Sequence, residues 1–129
     1  MTTKTTTDFG ALWQKAHEAG LAAADAAVPT PIIVGEAKSL FSNEIDHSKP
    51  TYYVPQGLCG FAWIQFKGNT AFGRWAKKAG KASPAYGGGL STSVRVGGQS
   101  IEIKEAYARA FAAVLNEAGI TAYAESRLD

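Results

Sequence analysis

The residues best suited to chemistry cluster in one basic stretch, Lys67-Gly-Asn-Thr-Ala-Phe72-Gly-Arg74-Trp75-Ala-Lys77-Lys78-Ala-Gly-Lys81. Set on a helix, Arg74, Lys77, Lys78 and Lys81 stand at i, i+3, i+4 and i+7 and share one face, while Phe72 and Trp75 turn to another. A stripe of cations supplies the point charges that bind phosphates and release counterions, and an exposed aromatic beside it can stack on an unpaired base. The same pattern also describes a solvated helix face with Phe72 and Trp75 in the core. The stretch lies within residues 47 to 101, a window with no carboxylate side chain that also holds Lys49 and Arg95. Net charge, +2 over 129 residues, conceals the asymmetry. Up to Phe66 there are four basic and six acidic residues, and beyond it nine and five. Clustered like charge gives a local potential that net charge does not report, so the second half is where an anionic partner is expected.

A second candidate is Val94-Arg95-Val96-Gly97-Gly98-Gln99-Ser100, a strand running through two glycines into a helix start. Free N–H groups and the positive end of a helix dipole can hold an anion there. The segment is neither a dinucleotide fingerprint nor a P-loop, and a tight turn with Ser100 as N-cap, with Glu102 already complementing the helix dipole, accounts for it more simply. The anion-binding set is therefore Lys67, Arg74, Lys77, Lys78, Lys81 and Arg95, with Gly97, Gly98, Gln99 and Ser100. Tyr86, which opens Tyr86-Gly87-Gly88-Gly89, and Arg127 are further candidates for a pocket.

Other chemistries lack residues. Cys59 is the only cysteine and excludes an intrachain disulfide; with His17 and His47 alone beside it, a zinc site would need carboxylates as well. Flanked by Leu58 and Phe61, Cys59 is expected to be a small buried hydrophobe, His47 a surface loop residue, and His17 part of the polar side of a helix. Carboxylate pairs for acid–base or two-metal work would have to come from outside the acid-free window. The segment Pro55-Gln56-Gly57-Leu58-Cys59-Gly60-Phe61-Ala62-Trp63 partly resembles the nucleophile motif of papain-like cysteine proteases. Ala62 stands where that family has its nucleophile, so the activity does not carry over. No metal, no cofactor and no catalytic residue is expected.

These residues are expected to be positioned by one domain over residues 1–129, long enough to bury about two-thirds of its unfolded surface, with residues 1 to 7 expected to be flexible. No apolar stretch approaches the roughly 20 residues that cross a bilayer, and Met1 to Thr7 has no apolar leader segment, so a cytoplasmic protein is expected. Apolar periodicity over Phe9, Leu12, Trp13, Ala16, Gly20, Ala23 and Ala27 predicts a helix over about 8–27, capped by Thr7 or Asp8 and ended by Pro29 and Pro31. Short strands follow at about 31–34 and 52–54, separated by a polar connection, Glu36 to Lys49. The strongest strand, about 60–67, is apolar on both faces and is expected to be central. Helices at about 70–79 and 100–118 alternate with strands at about 90–96 and 120–127, and Gly119 ends the last helix. In that helix Ile101, Lys104, Ala108, Phe111, Leu115 and Ala118 form an apolar row that Lys104 interrupts, its stem expected to snorkel to solvent. Arg109 is expected to pair with Glu105 across one turn. The pattern is a two-layer α+β or α/β domain: an N-terminal helix, edge strands, then a βαβαβ unit. Each crossover favours parallel strands, while the 80–89 loop is long enough to reverse the chain.

From Gln99-Ser100 through Lys104-Glu105-Ala106-Tyr107-Ala108-Arg109 to Gly119-Ile120-Thr121-Ala122-Tyr123-Ala124-Glu125-Ser126-Arg127-Leu128-Asp129, the chain resembles small uncharacterised proteins encoded in bacteriophage genomes. The Cys59-Gly60-Phe61-Ala62-Trp63 and Tyr86-Gly87-Gly88-Gly89 segments share the resemblance. It implies a viral origin and a place in the host cytoplasm, and it brings no activity or site. An enzyme stays open as a third class with no constellation of residues behind it, and two other functions lead. One is a non-enzymatic module that binds nucleic acid or nucleotide through the basic face. The other is a protein-interaction or assembly module, which inhibits a host protein, docks on a phage protein, or forms a homo-oligomer through the alanine-rich last helix. No membrane partner is expected.

Overall fold

The computed structural model describes residues 8–29, 32–35, 51–54, 57–85, 87–98 and 100–128. The expectations for the first seven residues, the 36–49 connection, His47, Tyr86 and Gln99 fall outside these described residues. Helix α1 spans Phe9–Ala26 and starts where the Asp8 carboxylate accepts the Ala11 N–H at 3.1 Å. It stops before Pro29, as proline demands. Strands β1 (Ile32–Gly35) and β2 (Thr51–Val54) form an antiparallel pair of their own, with Ile32 opposite Val54.

Strand β3, Gly60–Phe66, leads into helix α2, Ala71–Lys78, whose cap is the Thr70 hydroxyl accepting the Gly73 N–H at 2.9 Å. Beyond it come a two-residue strand β4 (Ser83–Pro84), β5 (Leu90–Ser93), helix α3 (Ile101–Glu117) and β6 (Ala122–Leu128). The sheet order is β4-β5-β3-β6 and every neighbouring pair is antiparallel. The fold is therefore α+β, with β3 central as expected.

Helix length explains the strand directions. An α2 of eight residues is about 12 Å long. It cannot carry the chain back along a seven-residue β3 of about 23 Å, as a parallel crossover would require. The chain instead turns through Gly80 and β4, and β5 runs antiparallel to β3, so the reversing loop prevails over the parallel crossover. Helix α3, with 17 residues or about 25 Å, does span the sheet. It delivers β6 to the far side of β3, so β5 and β6 run in the same direction with β3 between them.

The core lies between the helices and one face of the sheet. Ala62, Ile64 and Phe66 from β3 meet Ala108, Phe111 and Leu115 from α3, and α1 packs on α3 through Ala16 and Gly20. Six aromatics join along the helix side. Trp13 stands 4.9 Å from Phe111 and 6.0 Å from Phe72, with Phe66 5.0 Å from Phe72, and Phe9 and Trp75 close the cluster. Such pairs contribute about 0.5–1.5 kcal/mol each beyond area burial. Gly20 is a notch: a Cβ there would come within 2.6 Å of the Tyr107 ring. The Asn116 side chain donates to the Ala112 and Ala122 carbonyls and accepts the Ala122 N–H, tying the end of α3 to the start of β6.

Three sequence expectations change here. Cys59 is exposed, because it forms only an isolated bridge with Ser100 ahead of β3 instead of entering the core. Lys104 is buried: its Nζ donates to the Gly60 carbonyl at 3.1 Å, so its stem does not run out to solvent. Glu105 accepts from the Ser126 hydroxyl at 2.7 Å, a bond between α3 and β6 that helical spacing from Arg109 does not reveal.

Candidate functional site

Helix α2 sorts its residues by face. Phe72, Gly73 and Ala76 are buried and Trp75 is half-buried against Phe9 and Trp13, so its aromatics are committed to packing. Arg74, Lys77 and Lys78 are exposed, and the Arg74 guanidinium donates to the Asn69 carbonyl at 3.2 Å, which leans it over the helix start. Gly80, at φ 72°, ends the helix in a left-handed turn that glycine adopts readily, and sets Lys81 beyond it, exposed.

Lys81 is where separate elements meet. It lines a cavity of about 370 Å³ together with Arg95, His17, Tyr107, Thr92 and Ser93, and with Trp13 and Phe111 as its apolar wall. The cavity opens along β5 past the point where β4 stops pairing, since β4 covers only Leu90 and Ser91. Among the described residues, no carboxylate lines it. Two cations on an apolar wall, with hydroxyls beside them, suit an anion that carries a planar or apolar group.

The pairing of His17 with Tyr107 is the part that the sequence does not show. The His17 Nδ1 and the Tyr107 hydroxyl are hydrogen-bonded between α1 and α3. His17 is half-buried at this junction, not on the polar side of its helix. The Gly20 notch lets the Tyr107 ring approach α1 one turn further on, a three-residue spacing from His17 that the sequence does contain. Burial pushes the Tyr107 phenol above its ordinary range, so it stays neutral at physiological pH.

The remaining predicted residues lie elsewhere. Lys67 lines a separate cavity of about 410 Å³ with Phe9, Thr70 and Thr121. The Gly97 to Ser100 turn is used internally: Ser100 is fully buried and its hydroxyl accepts the Ile103 N–H, while the Ile101 N–H goes to the Leu58 carbonyl. Gly97 sits against Ile103, where a Cβ would come within 2.7 Å, and Gly98 is exposed. That turn is the N-terminal cap of α3. Arg127 lies across the sheet, in a groove of about 470 Å³ with Phe61, Trp63, Gln65, Ser91 and Ser93. Among the described residues, no three of His, Cys, Asp and Glu gather closely enough to hold a metal ion, and no helix is long and apolar enough to cross a membrane.

Compared with protein-family models, curated proteins and solved structures, the chain matches none.

Proposed function

We propose that the protein binds a phosphate-bearing partner, nucleic acid or nucleotide, without chemical conversion, and does so through the basic face of α2 and the cavity that continues it. The observation that carries this is the meeting of Lys81 and Arg95, 14 positions apart in sequence, at one cavity with no carboxylate among the described residues of its lining. Arg74, Lys77 and Lys78 extend the same charge outward along the exposed side of α2. An anion gains from all five, and clustered cations also steer its approach. A phage-encoded accessory factor acting in the host cytoplasm is the setting this reading assumes.

A mobility-shift series against single- and double-stranded DNA and RNA at two salt concentrations tests it. Binding is expected to weaken steeply with salt, and the double variant Lys77→Glu, Lys78→Glu to bind poorly. Unchanged affinity in that variant, or no binding at low salt, contradicts the proposal.

One observation favours a second reading, a protein-interaction or assembly module. Phe61 and Tyr123 are 46% and 59% exposed on the sheet, more than a monomer's core residues would be. In that case light scattering would report a mass above the 13.6 kDa of one chain.

A further inference from the structure

The exposed aromatics are not those of the basic helix. Phe72 and Trp75 pack inward, whereas Phe61 and Trp63 project from the opposite face of β3, and Tyr123 joins them from β6 because it stands directly across from Gln65. Directly paired residues share a face, so the three form a diagonal row across two strands. Trp63 is fixed in that row: its indole N–H donates to Gln65 Oε1, and the Gln65 amide donates to the Gly88 carbonyl.

Cations mark one end. The Arg127 guanidinium carbon lies 5.5 Å and the Lys104 Nζ 5.3 Å from the Phe61 ring centroid. Lys104 is 9% exposed and its hydrogen bond is to a neutral carbonyl, so its charge adds to the potential at this end of the sheet. The one carboxylate of the row, Glu125, stands opposite Trp63. It repels phosphate and accepts base N–H groups, so bases, not backbone, belong over the middle of the sheet.

Spacing selects the kind of nucleic acid. Alternate residues of a strand stand about 7 Å apart. Stacked nucleotides of a duplex rise only about 3.4 Å per step, so successive bases reach successive rings only when the strand is unpaired and extended. The cation cavity and this groove are also neighbours, since Ser93 of β5 lines both.

We infer that the open sheet face binds the bases of a single-stranded nucleic acid whose backbone is held by Lys81 and Arg95 and crosses β5 at Ser93 to reach Arg127. The inference rests on the reading that the partner is a nucleic acid. Stacking contributes about 1–3 kcal/mol per base, so loss of one ring lowers affinity at least about fivefold.

The test uses the full chain, a short fluorescent oligothymidylate, the matching duplex, and an abasic deoxyribose-phosphate oligomer of the same length. Oligothymidylate is expected to bind tightest, with Tyr123→Ala and Phe61→Leu each reducing its affinity at least about fivefold and leaving abasic binding unchanged. Circular dichroism keeps misfolding apart from lost contacts. Equal affinity for all three probes, unaffected by either variant, overturns the inference and leaves phosphate binding by α2 intact. No binding to any probe at low salt overturns both. A dimer by light scattering that Tyr123→Ala dissociates overturns the inference as well, because a second copy then covers the face.

Discussion

Helix α2 and strand β3 both interleave aromatic with polar or basic residues, yet they end with opposite surfaces. In α2 the 3.6-residue period turns Phe72 and Ala76 into the core and leaves Arg74, Lys77 and Lys78 outside. In β3 the period of two puts Ala62, Ile64 and Phe66 inward and leaves Phe61, Trp63 and Gln65 on the far face. Charge is thus displayed by the helix and aromatic surface by the sheet. A stretch that combines both in sequence need not present both at one site.

The largest expected difference between the two regions is in stability. Phe111→Ala, at a ring only 1% exposed, should cost about 3–5 kcal/mol in urea unfolding, whereas Tyr123→Ala on the open face should cost about 1 kcal/mol or less. Similar losses for the two would remove the distinction between packed and displayed aromatics. Gly20→Ala is expected to be intermediate. Its Cβ would meet the Tyr107 ring at 2.6 Å, and overpacking of this kind costs about 1–3 kcal/mol. It should also weaken oligonucleotide binding, since Tyr107 and His17 line the cavity with Lys81; full-strength binding at reduced stability would separate the notch from the site.

The smallest effect is on pH dependence. The Tyr107 phenol is raised above its ordinary value of 10.0 by desolvation, so the unfolded chain releases this proton first as pH climbs. Stability from this group is fully present below about pH 10 and declines above it, and Tyr107→Phe should flatten that alkaline decline. An unchanged slope in denaturant midpoints above pH 10 would contradict the assignment.

Much of this organisation is legible in the residues. Apolar spacing fixes α1 and α3, Ser100 and Gly119 mark the ends of α3, and the two apolar sides of β3 point to its central place. Strand direction is not legible, because it depends on whether α2 spans the sheet, a matter of length and not of pattern. Strand β4 is two residues long and includes Pro84, so it carries no strand periodicity. The place of His17 is not legible either, because its junction depends on Tyr107, 90 residues away. Lys81 and Arg95 are each visible as cations, but their meeting at one cavity follows only from the antiparallel return of β5. Lys67, drawn from the same basic stretch, lines a different cavity because it stands at the junction of β3 and α2, beside the turn from α3 to β6.

Amide chemical-shift mapping during titration with the single-stranded oligomer separates the two surfaces residue by residue. Shifts are expected in two connected groups, one around Lys81, Arg95 and His17 and the other around Phe61, Trp63 and Tyr123, with Ser93 between them and with both lost in Lys81→Ala, Arg95→Ala at moderate salt. Shifts confined to Lys67 and the start of α2, or an unchanged map in that double variant, would contradict binding across both surfaces.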